Sequence, residues 1–284
     1  MQDAYRHCEE LVRAADKDRF LATLFAPSAR RGALHAIYAF NVEIARVRAA
    51  IRDPMAGEVR LQWWREALAG ERAGEAAANP VAAALLDTIA RHALPSGPLI
   101  GLVEARAFDL YDDPMPTLEA LEAYLRATSS TVIAQAARVL VGDHLAMADA
   151  ALHAGLAHGM TGLMRAVARH ASRRQLYLPL DVLDRHGARA DDLFTGSATP
   201  QLRAALAELR IRAGAQLEAF EVLMPRLPAA AAPAFLPVAL VRGDLDRMEQ
   251  RSYDPFRTMV EAPQWRRQWV LWRAARRYGR TMRD

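Results

Sequence analysis

The chain has 284 residues, a formal charge of +4 and 52% hydrophobic residues, with Cys8 as its one cysteine. That length buries a large core, and a lone cysteine excludes an intramolecular disulfide and a cysteine-built metal cluster. No apolar run reaches the roughly 18 residues that a membrane span needs, and the acid-bearing start MQDAYRHCEELVRAADKDRF has no leader-like apolar centre, so a soluble or peripheral protein is expected.

Ala, Leu and Arg are abundant while β-branched and aromatic residues are sparse, which favours helix over sheet. Lys17 is the only lysine, so the positive charge is almost all arginine. Arginine richness by itself reads as a solvated surface, and no nucleic-acid partner is expected. Helical periodicity predicts elements over 29–52, 58–68, 80–92, 98–110, 117–141 and 146–171, and again over 200–224, 228–250 and 255–280. The breaks coincide with PSGP (95–98), DDPMP (112–116) and TGSATP (195–200). None is long enough for an interdomain linker, so one all-α domain over 1–284 is expected. RQLYLP (174–179) reads as an extended connector. There is no Gly-rich phosphate loop, no G-x-S-x-G elbow and no H-E-x-x-H.

Three stretches carry chemistry. In AFDLYDDP the spacing places Asp109, Asp112 and Asp113 on one helix face, but Pro114 ends the helix there and carboxylates at a C-terminus oppose the macrodipole. A solvated helix end is the expectation, and the histidines, with His153 and His158 five apart, show no ligand spacing.

From 155 to 170 the helical wheel separates an apolar stripe (Leu156, Met160, Leu163, Met164, Val167) from a stripe of Gly155, Gly159, Gly162 and Ala166. Each glycine costs about 0.8 to 1.0 kcal/mol relative to alanine, which either a ligand or close helix packing must offset, and packing is the favoured reading. The helix then ends among Arg165, Arg169, Arg173, Arg174 and His170.

At the C-terminus, Trp265, Trp269 and Trp272 stand at i, i+4, i+7 among Arg266, Arg267, Arg273, Arg276, Arg277 and Arg280. This composition suits a helix at an anionic membrane interface. The favoured expectation is a terminal helix that docks its Trp stripe inward and turns Arg to water.

The segment GLAHGMTGLMRAVARHASRRQLYLP resembles the second signature of the squalene/phytoene synthase family. Ala157, Thr161, Arg165, Ala171, Tyr177, Leu178 and Pro179 match it, while the family's Gln falls on Gly159, its Asn on Gly162, its first Asp on Ala166 and its Glu-Asp pair on Arg169 and His170. RRGALHAIYAFNVEIARVRAAI resembles the first signature at Phe40, with Ala45, Arg46 and Ala49 at the acidic positions. The likeness continues through LQWWREAL near Trp64, the helix bearing Asp109, the Tyr124 helix and YDPF at 253–256.

The resemblance implies an isoprenoid-synthase helical bundle around a central cavity. In that family Mg²⁺ bridges a prenyl diphosphate to aspartates on facing helices and acts as a Lewis acid on the leaving group. Alanine offers no ligand and arginine repels the metal, so the implied member is non-catalytic, with no metal or other cofactor. Arg165, Arg169 and His170, with Gly155, Gly159 and Gly162, are then the candidate site for an anion or lipid headgroup, in a cavity more readily expected closed than open.

Within the family, FNVE at 40–43, the Trp64 helix and the SRR element before an aromatic-Leu-Pro run are similar to a branch that includes a respiratory complex I assembly factor. That implies a protein partner at the inner face of an energy-transducing membrane, with the chain cytoplasmic in a bacterium. The alternatives are a prenyl transferase taking Mg²⁺ ligands from other positions near Asp109, and a carrier of a prenyl phosphate or phospholipid.

Overall fold

The structure is a computed structural model that describes residues 1–51 and 53–282. Helices α1 (Gln2–Ala15) and α2 (Lys17–Thr23) lead into α3 (Ser28–Ala45), α4 (Val47–Ala50), α5 (Pro54–Ala69), α6 (Ala73–Ala78), α7 (Pro80–His92) and α8 (Gly97–Ala105), which a 3-10 turn over Arg106–Leu110 closes. Helix α9 (Leu118–Leu125) runs through a π turn at Arg126–Ser130 into α10 (Thr131–Val141). Then follow α11 (Met147–Arg165), α12 (Val167–Ser172), α13 (Leu180–Arg185), α14 (Ala190–Phe194), α15 (Pro200–Leu223), α16 (Ala232–Phe235), α17 (Val241–Glu249) and α18 (Gln264–Thr281). No β-strand forms among the described residues.

Local chemistry sets several boundaries. Asp53, Asn79, Thr117 and Thr199 each cap a following helix with a side-chain oxygen, satisfying amides that have no partner inside the helix. Pro54, Pro80 and Pro200 occupy the first helical turn, where a missing N–H costs nothing. Gly70 ends α5 at φ 87°, a conformation that glycine adopts without strain.

The structure corrects the sequence reading in several places. Helices α1 and α2 were not anticipated, nor were α13 and α14. The helix expected over 228–250 is broken into 3-10 turns and two short helices, because Pro233 and Pro237 each remove a backbone donor. The one expected over 255–280 begins only at Gln264, after Pro263. The one expected over 29–52 breaks at Arg46, and its expected end at Arg52 lies outside the described residues. Arg174 turns at φ 55°, after which 175–179 runs as a connector as expected, held locally: Met115 N donates to Leu176 O and Leu180 N to Met115 O, both at 2.9 Å.

Trp64, Tyr38, Phe40, Phe220 and Phe235 are the largest fully buried side chains, each worth about 1.5 to 3 kcal/mol on removal from water. Phe40 and Trp64 meet edge to face at 5.1 Å between centroids. Buried hydrophobic residues form one continuous cluster reaching from Cys8 in α1 to Met282. Helices α11 and α15 form the most extensive pairing, and α1 packs on α3 and α7.

Candidate functional site

Two of these helices break at corresponding places. The amide of Arg46 is shared between the carbonyls of Val42 and Glu43, each at 3.2 Å, and that of Ala166 between Gly162 and Leu163 at 3.2 and 3.1 Å. The breaks start α4 and α12, so that Ala45, Arg46 and Ala49 face Ala166, Arg169 and His170 across a cavity of about 570 Å³. The 3-10 turn at Arg106–Leu110, the π turn after α9, and Gln175 and Tyr177 of the extended connector complete its wall. The cavity is open, contrary to the closure expected from the glycine stripe.

Its lining is strongly cationic. Among the described residues Arg19, Arg46, Arg48, Arg106, Arg165, Arg169 and Arg173 contribute seven guanidinium groups, against Asp109 as the only carboxylate. Four are already engaged. Arg19 pairs with Asp16 at 2.7 Å, Arg48 with Asp112 at 3.2 Å, Arg106 with Asp109 at 2.9 Å and Arg165 with Asp244 at 2.9 Å. Arg46, Arg169 and Arg173 have no carboxylate partner among the described residues, and all three are exposed at the mouth. The Nε atoms of Arg106 and Arg165 are buried without an acceptor, a costly state for a charged donor.

The histidines add no charge near neutrality. Burial, reinforced by Arg19 and Arg165, pushes His158 down to about 3, and burial with Arg169 pushes His170 down to about 4. His170 instead packs on Tyr177, 4.7 Å between ring centroids. Arg165 is likewise occupied in joining α11 to α17. Of the expected anion-binding trio, Arg169 alone presents an unpaired positive charge.

The acidic cluster does not assemble as a helix face. The chain leaves the 3-10 turn at Tyr111 in an extended conformation, so Asp112 and Asp113 sit on exposed backbone, while Asp109 is buried. Its Oδ1 accepts from Tyr124 Oη at 2.8 Å and Tyr177 Oη at 2.7 Å, and its Oδ2 from Arg106 Nη1 at 2.9 Å. A solvated helix end describes Asp112 and Asp113 but not Asp109, which these three donors hold in place.

The glycine stripe divides by function. A Cβ at Gly155 would stand 2.3 Å from Ser130 Cα and 2.5 Å from Ser130 N, so this glycine exists for helix contact and lies outside the cavity lining. Gly159 lines the cavity but also lies under Leu125, whose Cδ2 would be 2.7 Å from an added Cβ. Gly162 has nothing within 4 Å and borders open cavity. The packing reading holds for Gly155, while Gly162 leaves room at the cavity wall.

Mg²⁺ does not fit these residues. Divalent cations of this kind need several oxygen ligands, whereas the lining offers one carboxylate, already engaged by two tyrosines and an arginine, amid seven arginines. No group of three or more metal-ligating side chains occurs among the described residues.

Arg19, Arg48 and Arg106 are cavity residues that the sequence did not single out. Arg106 had a local signal, since it stands three residues before Asp109, but the others come together only through tertiary packing.

A family profile, squalene/phytoene synthase, matches residues 12–273. The chain belongs to the squalene/phytoene synthase family. Among curated relatives, complex I assembly factor 6 of NADH dehydrogenase (ubiquinone) from Rattus norvegicus is 29% identical over 259 residues, covering 91% of this chain and 78% of the relative. The 15-cis-phytoene synthase of Synechococcus elongatus is 29% identical over 283 residues, covering 94% of this chain and 91% of the relative. In fold, a dehydrosqualene synthase crystallised with a ligand superposes with a TM-score of 0.84 at 20% identity, over 97% of this chain and 96% of that one. The all-α architecture around a cavity is therefore the isoprenoid-synthase bundle of the squalene/phytoene synthase family.

Proposed function

We propose that this chain is a non-catalytic squalene/phytoene synthase homologue that serves as an accessory factor in the assembly of respiratory complex I. The observation that carries this reading is the cavity lining: seven arginines and one carboxylate, itself bound to two tyrosines and an arginine, where prenyl coupling requires a clamp for Mg²⁺. Similarity to assembly factor 6 across 91% of the chain supports the assembly role. The chain then works from the cytoplasmic side, at the inner face of an energy-transducing membrane, with a protein partner and without a metal cofactor.

A second activity fits the same cavity. The unpaired guanidiniums of Arg46, Arg169 and Arg173 and the orphaned Nε atoms of Arg106 and Arg165 favour a phosphate-bearing amphiphile, held by charge-assisted hydrogen bonds without being ionised. The cavity is thus a carrier or docking site for a prenyl phosphate or phospholipid headgroup.

Purified folded protein given farnesyl or geranylgeranyl diphosphate with Mg²⁺ is expected to release no diphosphate above a heat-killed control. Turnover that a chelator abolishes would restore the prenyl transferase reading. Calorimetry with pyrophosphate in chelator tests the carrier reading, where metal-free binding weakened by Arg169→Gln is the expected result. Tagged protein recovered from native membranes is expected to bring down complex I subunits, and their absence would count against the assembly role.

A further inference from the structure

Helix α18 presents a face that the cavity does not use. Trp265, Trp269 and Trp272 are 70%, 51% and 46% exposed, so the stripe is not docked inward, which corrects the favoured sequence expectation. The helix is nonetheless firmly seated. Leu271, Ala274 and Tyr278 are buried, and Arg267 pairs with Asp18 of α2 and with Glu261. At 100° per residue the Trp stripe lies about 150° around the axis from those seated residues, so docking the helix on the bundle leaves it bare.

The charge on this face is one-sided. Helix α18 carries six arginines and no acidic residue. Arg267 and Arg277 are engaged by carboxylates of the bundle, whereas Arg266, Arg273, Arg276 and Arg280 have no carboxylate partner among the described residues. Arg273 lies 5.2 Å from the Trp269 ring and Arg276 4.2 Å from that of Trp272. Among the described residues nothing accepts from the three indole N–H groups.

Of the large aliphatic side chains of this helix, Leu271 is buried in the bundle and Val270 is half-buried. What remains is indole and guanidinium. Indole settles at the boundary between headgroup and acyl chain, and guanidinium pairs with phosphate in the same layer. No helix among the described residues is long and apolar enough to cross a membrane, so contact is confined to lying along the surface.

We infer that the outward face of α18 docks on an anionic phospholipid surface, with the three tryptophans in the headgroup layer and the unpaired arginines on lipid phosphates. The full chain is mixed with vesicles of phosphatidylcholine alone, or of phosphatidylcholine with phosphatidylglycerol, and sedimented. Binding is expected to the anionic vesicles alone, to weaken with salt, and to shift tryptophan emission to the blue.

The variant W265A/W269A/W272A, its fold checked by circular dichroism, is expected to lose the shift and to bind about tenfold more weakly or worse. R273Q/R276Q/R280Q keeps the stripe and is expected to weaken binding to anionic vesicles by up to about a hundredfold, from about 1 kcal/mol per arginine. Folded wild-type protein that stays in the supernatant with anionic vesicles overturns the proposal and assigns the face to a protein partner. Triple-Trp protein that binds as wild type does overturns it as well.

Discussion

Asp109 illustrates how a residue that looks like a metal ligand becomes a structural one. Its carboxylate is buried and accepts from two tyrosines and one arginine, and in turn keeps the Arg106 guanidinium from being an uncompensated buried charge. Replacing it by alanine strands that charge, and Asp109→Ala is expected to cost about 3 to 5 kcal/mol, read as a fall in the urea midpoint. Tyr124→Phe and Tyr177→Phe each remove one hydrogen bond and are expected to cost about 1 kcal/mol. An Asp109→Ala protein as stable as wild type would show that the node does not hold the cavity wall. None of this was legible in DLYDDP. The two tyrosines that define the site lie 15 and 68 residues further along the chain, and local spacing reports only that three acids are close in sequence.

At the scale of elements, the glycines of α11 make opposite predictions from identical chemistry. Gly155→Ala drives a methyl group into the Ser130 backbone and is expected to destabilise by about 1 to 3 kcal/mol. Gly162→Ala meets nothing within 4 Å and is expected to stabilise by up to about 1 kcal/mol, through helix propensity. Paired thermal or urea melts check both, and equal effects of the two would contradict the division of the stripe.

The sequence reading placed these glycines on one face correctly but could not separate them, because helix periodicity does not say which stretch of a face meets a neighbour. The same ambiguity governed α18. Leu271, Ala274 and Tyr278 repeat with helical spacing as the tryptophans do, and hydrophobicity favoured the wrong stripe. Helix α1 was legible though unanticipated, since Ala4, Cys8, Leu11 and Val12 recur at helical spacing with Cys8 and Val12 buried, and α2 after it supplies Arg19 to the cavity. The longer core helices were legible from period and punctuation together, with Pro80 and Pro200 at the first turns of α7 and α15.

For the whole molecule, histidines buried in the wall of the arginine-lined cavity set the response to acid. His158 and His170 are held neutral, at about 3 and about 4, whereas an unfolded histidine takes a proton near 6.5. Below that value the unfolded state binds the extra protons, so stability falls as pH drops from about 6.5 towards the folded values. Asp16 acts in the same sense at lower pH: burial opposes its charge, but pairing with Arg19 outweighs this and holds it below the ordinary carboxylate value. Asp244 and Glu43 act oppositely, since burial raises both and they favour the folded state once protonated. Near pH 5 the histidines dominate. His158→Gln is expected to reduce the loss between pH 7 and pH 5 by an amount of order 1 kcal/mol, measured by urea unfolding at each pH. An unchanged loss would place the acid sensitivity elsewhere.

Cys8 lies fully buried in α1, where that helix packs on α3 and α7, and burial pushes its thiol up to about 12. A thiol in that state does not react with a labelling reagent while the helix stays in place. Because the chain holds one cysteine, its modification is a clock with a single hand, advancing only when the N-terminal helices open. Helix α2 follows α1 after a single residue and carries Arg19 into the cavity wall, so an anion that seats against Arg19 slows that clock without touching the sulfur.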